Sequence, residues 1–371
     1  MLDPQSATPH DGGGDAPVPA PVPDTVRHTP QFDGRAAEFF GIWIVNVLLT
    51  VLTLGLYSAW AKVRTERYFY GNTRLAGSAF EYLADPIRIL KGRLIAYAVV
   101  IAIALSFQFL PLLYFALMLG VFASMPLLVF LSTRFRARYS AWRGLRFRFV
   151  GTAGGAYGPF LGWPILSALT LSLGYPLMRK RQHAYLVSGH RFGRTAFGFE
   201  ARTADYFVPY AIALAMALAL FALMATLIGG IAWSVLVAGG ETGGGSAAFH
   251  WLTVGGLLLF YGGVFVLGVW LRTRYLNLMW NNARLGPHRF ESTLRVRDVL
   301  WLYAGNLVVV LLTLGLATPW AMVRLARYRA SRFAVLVQGG IEDFVADVDA
   351  ERGAAGAELV DALDLGVDIG L

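Results

Sequence analysis

Among the residues able to do chemistry in this 371-residue chain, two asparagines stand out because each is stranded in an apolar run. Asn46 and Asn306 lie seven residues ahead of Thr53 and Thr313. An amide in hydrocarbon is costly without a partner, so both must face protein. Either they line a solute or ion path at symmetry-related positions, or they tie helices together through hydrogen bonds of about 0.6–2 kcal/mol each. Arg64, Arg67, Arg324 and Arg327 end apolar segments at matching places, with Trp60 and Trp320 one turn earlier and Tyr68 and Tyr328 beside them. This combination makes an interfacial anchor, or a paired-arginine site for an anion or phospholipid headgroup. His183 and His190, two helical turns apart, would stand about 10 Å from each other along an axis, too far to share a metal.

Other chemistry is missing. The chain has no cysteine, hence no disulfide or thiolate site. It has no G-x-S-x-G, P-loop or H-E-x-x-H motif, and no G-x-G-x-x-G between a strand and a helix. No catalytic residue, metal site or cofactor is expected, and the chain is not expected to be an enzyme. No charge interrupts the centre of an apolar window, which argues against a proton-coupled pump with a buried carboxylate.

The elements that position these residues follow from the distribution of charge. Residues 94–133, 206–240 and 242–271 contain no Asp, Glu, Lys or Arg, and shorter uncharged windows span 39–61, 149–178 and 299–323. A helix needs about 20 apolar residues to cross about 30 Å of hydrocarbon. Six such windows predict a polytopic helical membrane protein and exclude a soluble fold. Between residues 32 and 345 there are 30 Lys and Arg against 12 acids, a net of +18. In a membrane protein that excess marks cytoplasmic loops and favours anionic headgroups. The expected partners are therefore the lipid bilayer and anionic phospholipid headgroups, not nucleic acid; the sequence names no protein partner. No basic segment leads into an apolar one at the N-terminus, so no cleaved signal peptide is expected. Residues 1–31, rich in Pro and Gly, are expected to be a disordered tail. Residues 346–371 carry seven acids against Arg352 and are expected to be a solvated acidic tail.

The membrane region repeats itself. Thr53-Leu-Gly-Leu opens a segment that returns at Thr313-Leu-Gly-Leu, in register through Trp60/Trp320, Arg64/Arg324, Arg67/Arg327 and Tyr68/Tyr328. A weaker copy runs from Thr170 to Tyr185. Short segments alternating aromatic and polar residues follow the basic helix ends, at 74–82, 145–150, 194–200 and 288–296, with a fragment at 31–34. Period-two alternation predicts extended segments outside the lipid. The two longest regions read as hairpins that cross and return. The three short windows have basic residues on both sides, so a single crossing by each would place many arginines outside. Re-entrant helical hairpins, turning at the Thr-Leu-Gly or Gly-Tyr-Pro tract and near Pro319, avoid this. Seven plain crossings are the rival topology.

The residues Phe32, Gly34, Asn46, Leu48, Leu49, Thr53–Tyr57, Trp60, Ala61, Arg64, Arg67, Tyr68, Gly77, Phe80 and Tyr82 together resemble the YjgN-like family of bacterial inner-membrane proteins, a domain of unknown function. The resemblance covers about 32–345. It departs at Ala317, where the last copy lacks the tyrosine, and in the middle copy, which lacks the tryptophan. It implies a multi-pass location in the inner membrane and supplies no substrate or reaction. The expected fold is an all-α polytopic membrane protein with internal helical repeats in 32–345, its extended segments pairing into a small cytoplasmic sheet. Two function classes are expected: a passive or weakly coupled transporter or channel for a small solute, or a non-transporting scaffold or sensor that organises lipids or envelope proteins.

Overall fold

The computed structural model describes residues 25–237 and 247–339, with single positions at 346 and 350. Its repeating block is a helical hairpin followed by a β-hairpin. The chain opens with β1 (Thr25–His28) and β2 (Gln31–Phe32). The first helical hairpin, α1 (Ala36–Leu52) and α2 (Ser58–Gly71), leads into β3 (Thr73–Leu75) and β4 (Ser78–Tyr82). The second, α3 (Pro86–Phe109) and α4 (Pro111–Arg138), leads into β5 (Ser140–Trp142) and β6 (Leu145–Phe149). The third runs through α5 (Ala153–Tyr157), a π-helical turn (Gly158–Gly162) and α6 (Trp163–Leu169), then returns along α7 (Tyr175–Ser188) to β7 (His190–Phe192) and β8 (Thr195–Phe199). The fourth is α8 (Thr203–Val237) and α9 (Ala247–Asn281), with β9 (Ala283–Leu285) and β10 (His288–Ser292). The fifth, α10 (Val296–Leu312) and α11 (Thr318–Ser331), ends in β11 (Phe333–Gln338).

Odd and even hairpins differ in length, and length decides which can cross a bilayer. Among the described residues, four helices are long and apolar enough to do so, and they are the arms of the second and fourth hairpins. The first and fifth hairpins pair 17-residue with 14-residue arms, about 25 and 21 Å long at 1.5 Å per residue. Each folds back, so both of its ends meet the sheet. The fold-back is built by the repeated Thr-Leu-Gly, which is Thr-Leu-Ser in the middle copy. Thr53, Thr170 and Thr313 donate their hydroxyls to carbonyls one turn back and accept the backbone N–H of Tyr57, Gly174 and Ala317. The next two residues are left-handed in all three copies: Leu54 and Gly55, Leu171 and Ser172, Leu314 and Gly315. A left-handed leucine followed by a φ of +91° at Gly55 and Gly315 is a turn that β-branched residues resist and glycine accepts. It lifts Leu54, Leu171 and Leu314 to the tips, 94%, 88% and 94% exposed.

The strands correct the expectation of an all-α protein with a small sheet. All eleven lie in one curled antiparallel sheet, in the order β1-β11-β10-β9-β8-β7-β6-β5-β4-β3-β2. The aromatic–polar segments at 74–82, 145–150, 194–200 and 288–296 contain β4, β6, β8 and β10. Their partners β5, β7 and β9 are three residues long and start directly after a helix. The two-residue turns between partners hold the register: Ala76-Gly77 and Arg143-Gly144 have positive φ at both positions, Gly193 and Gly286 at the first. Those are the primed turns whose twist suits a hairpin. One face of the sheet carries the core, in which Leu75, Trp142, Phe192, Leu285, Phe290 and Val337 from six strands meet. Burying a large side chain contributes about 1.5–3 kcal/mol, which is why such short strands persist.

The boundary of the expected N-terminal tail is also corrected, because residues 25–28 pair with β11 although 1–31 is Pro/Gly-rich. β1 and β2 occupy opposite ends of the strand order yet are separated only by Thr29 and Pro30. The N-terminal segment therefore joins the sheet's two edges. The helices close in the same way. Arg67 donates to the carbonyl of Ala84, two residues before α3 (3.5 Å). Arg327, its counterpart, donates to Gly34, two residues before α1 (3.1 Å). The contact that joins the first hairpin to the second thus joins the fifth to the first. Phe39, Val323 and Phe32 bury the seam. The acidic segment 346–371, apart from the single positions, and residues 1–24 lie outside the described residues.

Candidate functional site: a basic groove on the last hairpin

Asn46 and Asn306 occupy equivalent places and make the same bond. Each donates its amide N–H across its own hairpin, to Ala61 and Ala321 respectively, at 3.4 Å. Both therefore tie the two arms of a hairpin. Their oxygens differ. Asn306 Oδ1 accepts from Arg324 at 3.2 Å, whereas Asn46 Oδ1 is buried with no hydrogen-bond partner. The cause is one residue. In the first hairpin Tyr57 captures Arg64 at 3.2 Å and stacks on Trp60. In the fifth hairpin Ala317 stands in its place, so Arg324 is left to reach Asn306 while lying over Trp320 at 5.1 Å.

Tyr68 and Tyr328 are pins. Tyr68 Oη accepts from the Arg35 backbone N–H and donates to the Arg35 carbonyl, both at 2.8 Å. Tyr328 does the same with Arg295 at 3.1 and 3.3 Å, and Tyr185 donates to the Thr152 carbonyl at 2.9 Å. Each spans 33 residues and locks the start of one arm to the end of the other. The Tyr68 and Tyr328 bonds also satisfy an orphan N–H at a helix start that lacks a side-chain cap, whereas Thr152 caps its own helix by accepting from Gly155 N–H. Burial raises the Tyr68 and Tyr328 phenols above their ordinary range, so both stay protonated and able to donate.

Among the described residues, the arginines singled out from sequence converge in the fifth hairpin. Arg297, Arg324, Arg327 and Arg332 surround a groove between α10 and α11 that Trp301 and Tyr328 also line. Asp298 is the one acid there; it takes Arg332 at 3.1 Å and Tyr328 at 3.4 Å. Arg332 also lies over the Tyr328 ring at 5.7 Å. Counting the side chains leaves four cations against one anion, with Arg297, Arg324 and Arg327 exposed. The groove sits at the sheet end of the hairpin, formed by the first turns of α10 and the last turns of α11. It can take an anion with several oxygens, bound by charge-assisted bonds from planar guanidinium groups.

Of the residues singled out from sequence, the structure brings Arg324, Arg327 and Tyr328 into this groove, with Trp320 and Asn306 holding Arg324. Arg64, Arg67, Trp60 and Tyr68 form the matching corner of the first hairpin. There Ala37, Gly41 and Asn72 replace Arg297, Trp301 and Arg332, and Glu38, 4.0 Å from Arg35, replaces Asp298. Sequence reasoning missed Arg297, Asp298, Trp301 and Arg332. The signal that would have found them is the disagreement between the two copies, not their identity.

His183 and His190 do not meet. His183 Nδ1 lies 2.7 Å from the Tyr206 hydroxyl, and His190 bonds the Leu186 carbonyl. Among the described residues no cluster of three metal-ligating side chains exists. Burial and the neighbouring Arg179 push the His183 imidazole down to about 4. A second recess, against the core face of the sheet, is lined by aromatics including Phe69, Tyr70, Trp280 and Phe333, with Arg272 and Arg329; none of the sequence candidates lines it.

Residues 27–362 match a family described as bacterial protein of unknown function (DUF898). The chain is similar to the inner membrane protein YjgN of Salmonella typhimurium, 23% identical with 86% of this chain and 90% of the relative covered. It is likewise similar to that of Escherichia coli O157:H7, 27% identical over 86% and 91%. Against YjgN of Escherichia coli K12 it is 31% identical over 39% of this chain and 37% of the relative. No solved structure matches.

Proposed function

Because this chain belongs to the DUF898 family and is a multi-pass inner-membrane protein, we propose that it is a non-transporting scaffold that captures anionic phospholipid headgroups at the cytoplasmic face. The observation that carries this reading is the groove of Arg297, Arg324, Arg327 and Arg332 with Trp301 and Tyr328. The positive-inside rule assigns the basic, sheet-bearing end of the hairpins to the cytoplasm, since two crossing hairpins leave every strand on one side. The groove then lies at the depth of phosphate groups, where tryptophan and tyrosine are favoured. The short hairpins, with leucine tips and no charge in their turns, would dip into one leaflet. Transport was motivated by the paired asparagines, and each directs an amide N–H to the opposite arm of its own hairpin, which accounts for both as packing residues.

The test is lipid retention by the purified protein, measured by native mass spectrometry in mixed phosphatidylglycerol and phosphatidylcholine micelles. The wild type should hold phosphatidylglycerol in preference, and the double variant Arg297→Gln/Arg324→Gln should lose about tenfold in apparent affinity. That loss corresponds to roughly 1.4 kcal/mol, below the span of a single charge-assisted bond. Equal retention of both lipids by the wild type would overturn the proposal.

A further inference from the structure

The face of the sheet turned away from the core is lined with arginine. Pairing register puts Arg289, Arg284, Arg191, Arg148, Arg146 and Arg74 on it, interleaved with the small residues Gly198, Ala196, Ala141 and Ala79. Arg148 stands directly opposite Arg191, and Arg284 opposite Arg289. Like charges directly opposite each other destabilise a sheet, so this face calls for negative charge from elsewhere. Part of it is met locally: Arg284 pairs with Glu200, Arg74 with Asp33, and Arg27, at the β1 edge, with Glu291. Arg146, Arg148, Arg191 and Arg289 are exposed and have no carboxylate partner among the described residues. Among the described residues, Glu81 is the remaining acid on that face.

We propose that the acidic C-terminal segment, residues 342–368, docks on this arginine face. It carries Glu342, Asp343, Asp347, Asp349, Glu351, Glu358, Asp361, Asp364 and Asp368 against the single base Arg352. It follows β11 in the chain, whose last residue is Gln338, and β11 is the direct neighbour of β10 and so of Arg289. Arg284 is one strand further, so both are within about 10 Å at 4.7–4.9 Å per strand. The 27 residues of the segment can extend about 90 Å at 3.3–3.6 Å each, more than the roughly 50 Å width of eleven strands. Reach and charge therefore both allow the segment to traverse the face. The N-terminal residues 1–24 are a poorer match, with four acids in 24 residues. The consequence is a self-neutralised cytoplasmic sheet, kept from adhering unspecifically to anionic surfaces while the lipid groove on the fifth hairpin stays free.

The chain has no cysteine, so a doubly labelled form needs no background changes. Ala196→Cys, exposed on the arginine face, and Ala354→Cys, inside the segment, would carry nitroxides in the full-length protein in nanodiscs. Their separation is read by pulsed electron–electron resonance. The expected result is a narrow distance distribution at low salt that is lost near 1 M salt, where the screening length is about 3 Å. It should also be lost when Glu342, Asp343, Asp347, Asp349 and Glu351 are changed to their amides. A broad distribution at low salt, the same with and without those acids, overturns the proposal. So does a narrow one that ignores salt and the amide changes, or one that vanishes when labelled protein is diluted with unlabelled, which would place the segment on a second copy. Lipid retention by the groove is measured separately, so failure of either reading leaves the other standing.

Discussion

The first and last helical hairpins share their turn, their asparagine tie, their tyrosine pin and their arginine clasp, yet only the last assembles a basic groove. Ala317 in place of Tyr57 redirects Arg324 onto Asn306, and Arg297, Trp301 and Arg332 stand where the first hairpin has Ala37, Gly41 and Asn72. The shared residues are those whose bonds run within a hairpin or to its neighbour, so they are what the ring needs to close. The unshared Arg297, Trp301 and Arg332 line the groove together with the shared Arg324, Arg327 and Tyr328. Differences between the copies, set on a shared frame, are what make the last hairpin basic.

That contrast can be broken or sharpened in four ways. The largest effect should come from the seam the two hairpins share. Phe39 is fully buried against the last hairpin, and Phe39→Ala should cost about 3–5 kcal/mol. Val299, its counterpart, is smaller, and Val299→Ala should cost less; thermal unfolding in detergent checks both. Equal losses would mean that the seam is not where the ring is held.

The middle hairpin provides a second contrast, since it buries His183 where the others have Glu66 and Ala326. The folded His183 titrates near 4 rather than at its ordinary 6.5. Above about pH 6.5 the imidazole is neutral in both states and its contribution to stability is fully present. As pH falls from 6.5 towards 4 the unfolded chain takes up a proton the folded chain refuses, and stability drops by up to roughly 3 kcal/mol. Unfolding midpoints across that window should fall in the wild type and fall less in His183→Gln. The His190 imidazole, also lowered by burial, accounts for part of the slope that remains.

A smaller effect separates the two arginine corners. Arg64→Gln should change phosphatidylglycerol retention less than twofold, against the roughly tenfold loss expected for the Arg297/Arg324 pair. A first-hairpin variant as damaging as the last would dissolve the distinction. The smallest test concerns one hydrogen bond. A double-mutant cycle between Arg324 and Asn306 should report a coupling of about 1 kcal/mol, and the Arg64–Asn46 cycle none. In a Tyr57→Ala background the first hairpin should acquire that coupling, because Arg64 is released towards the unpartnered Asn46 oxygen.

Much of the architecture was legible in residue type and spacing. The three longest uncharged windows located the four helices long and apolar enough to cross a membrane, and the basic residues on both sides of the short windows pointed to hairpins whose two ends meet at the sheet. The Thr-Leu-Gly repeat marked their turns. The sheet was underestimated because four of its strands, β3, β5, β7 and β9, have three residues each, too few to display period-two alternation. β11 is a plain apolar run, and β1 hides beside a proline-rich stretch. Such strands are held by neighbours from other units, and that information is not local.

What the sequence determined by itself is where the chain must live and that it is built from copies. Long stretches without ionised groups have one stable solvent, and a turn that needs left-handed backbone leaves Thr-Leu at each recurrence, followed by Gly55, Ser172 or Gly315. What only the tertiary structure decided is which copies touch. β1 and β2 seal the two edges of one sheet, Arg327 reaches a carbonyl 293 residues away, and four arginines from two helices face a single groove. Those pairings depend on the closure of the ring, a property of the whole set of units that no one of them encodes.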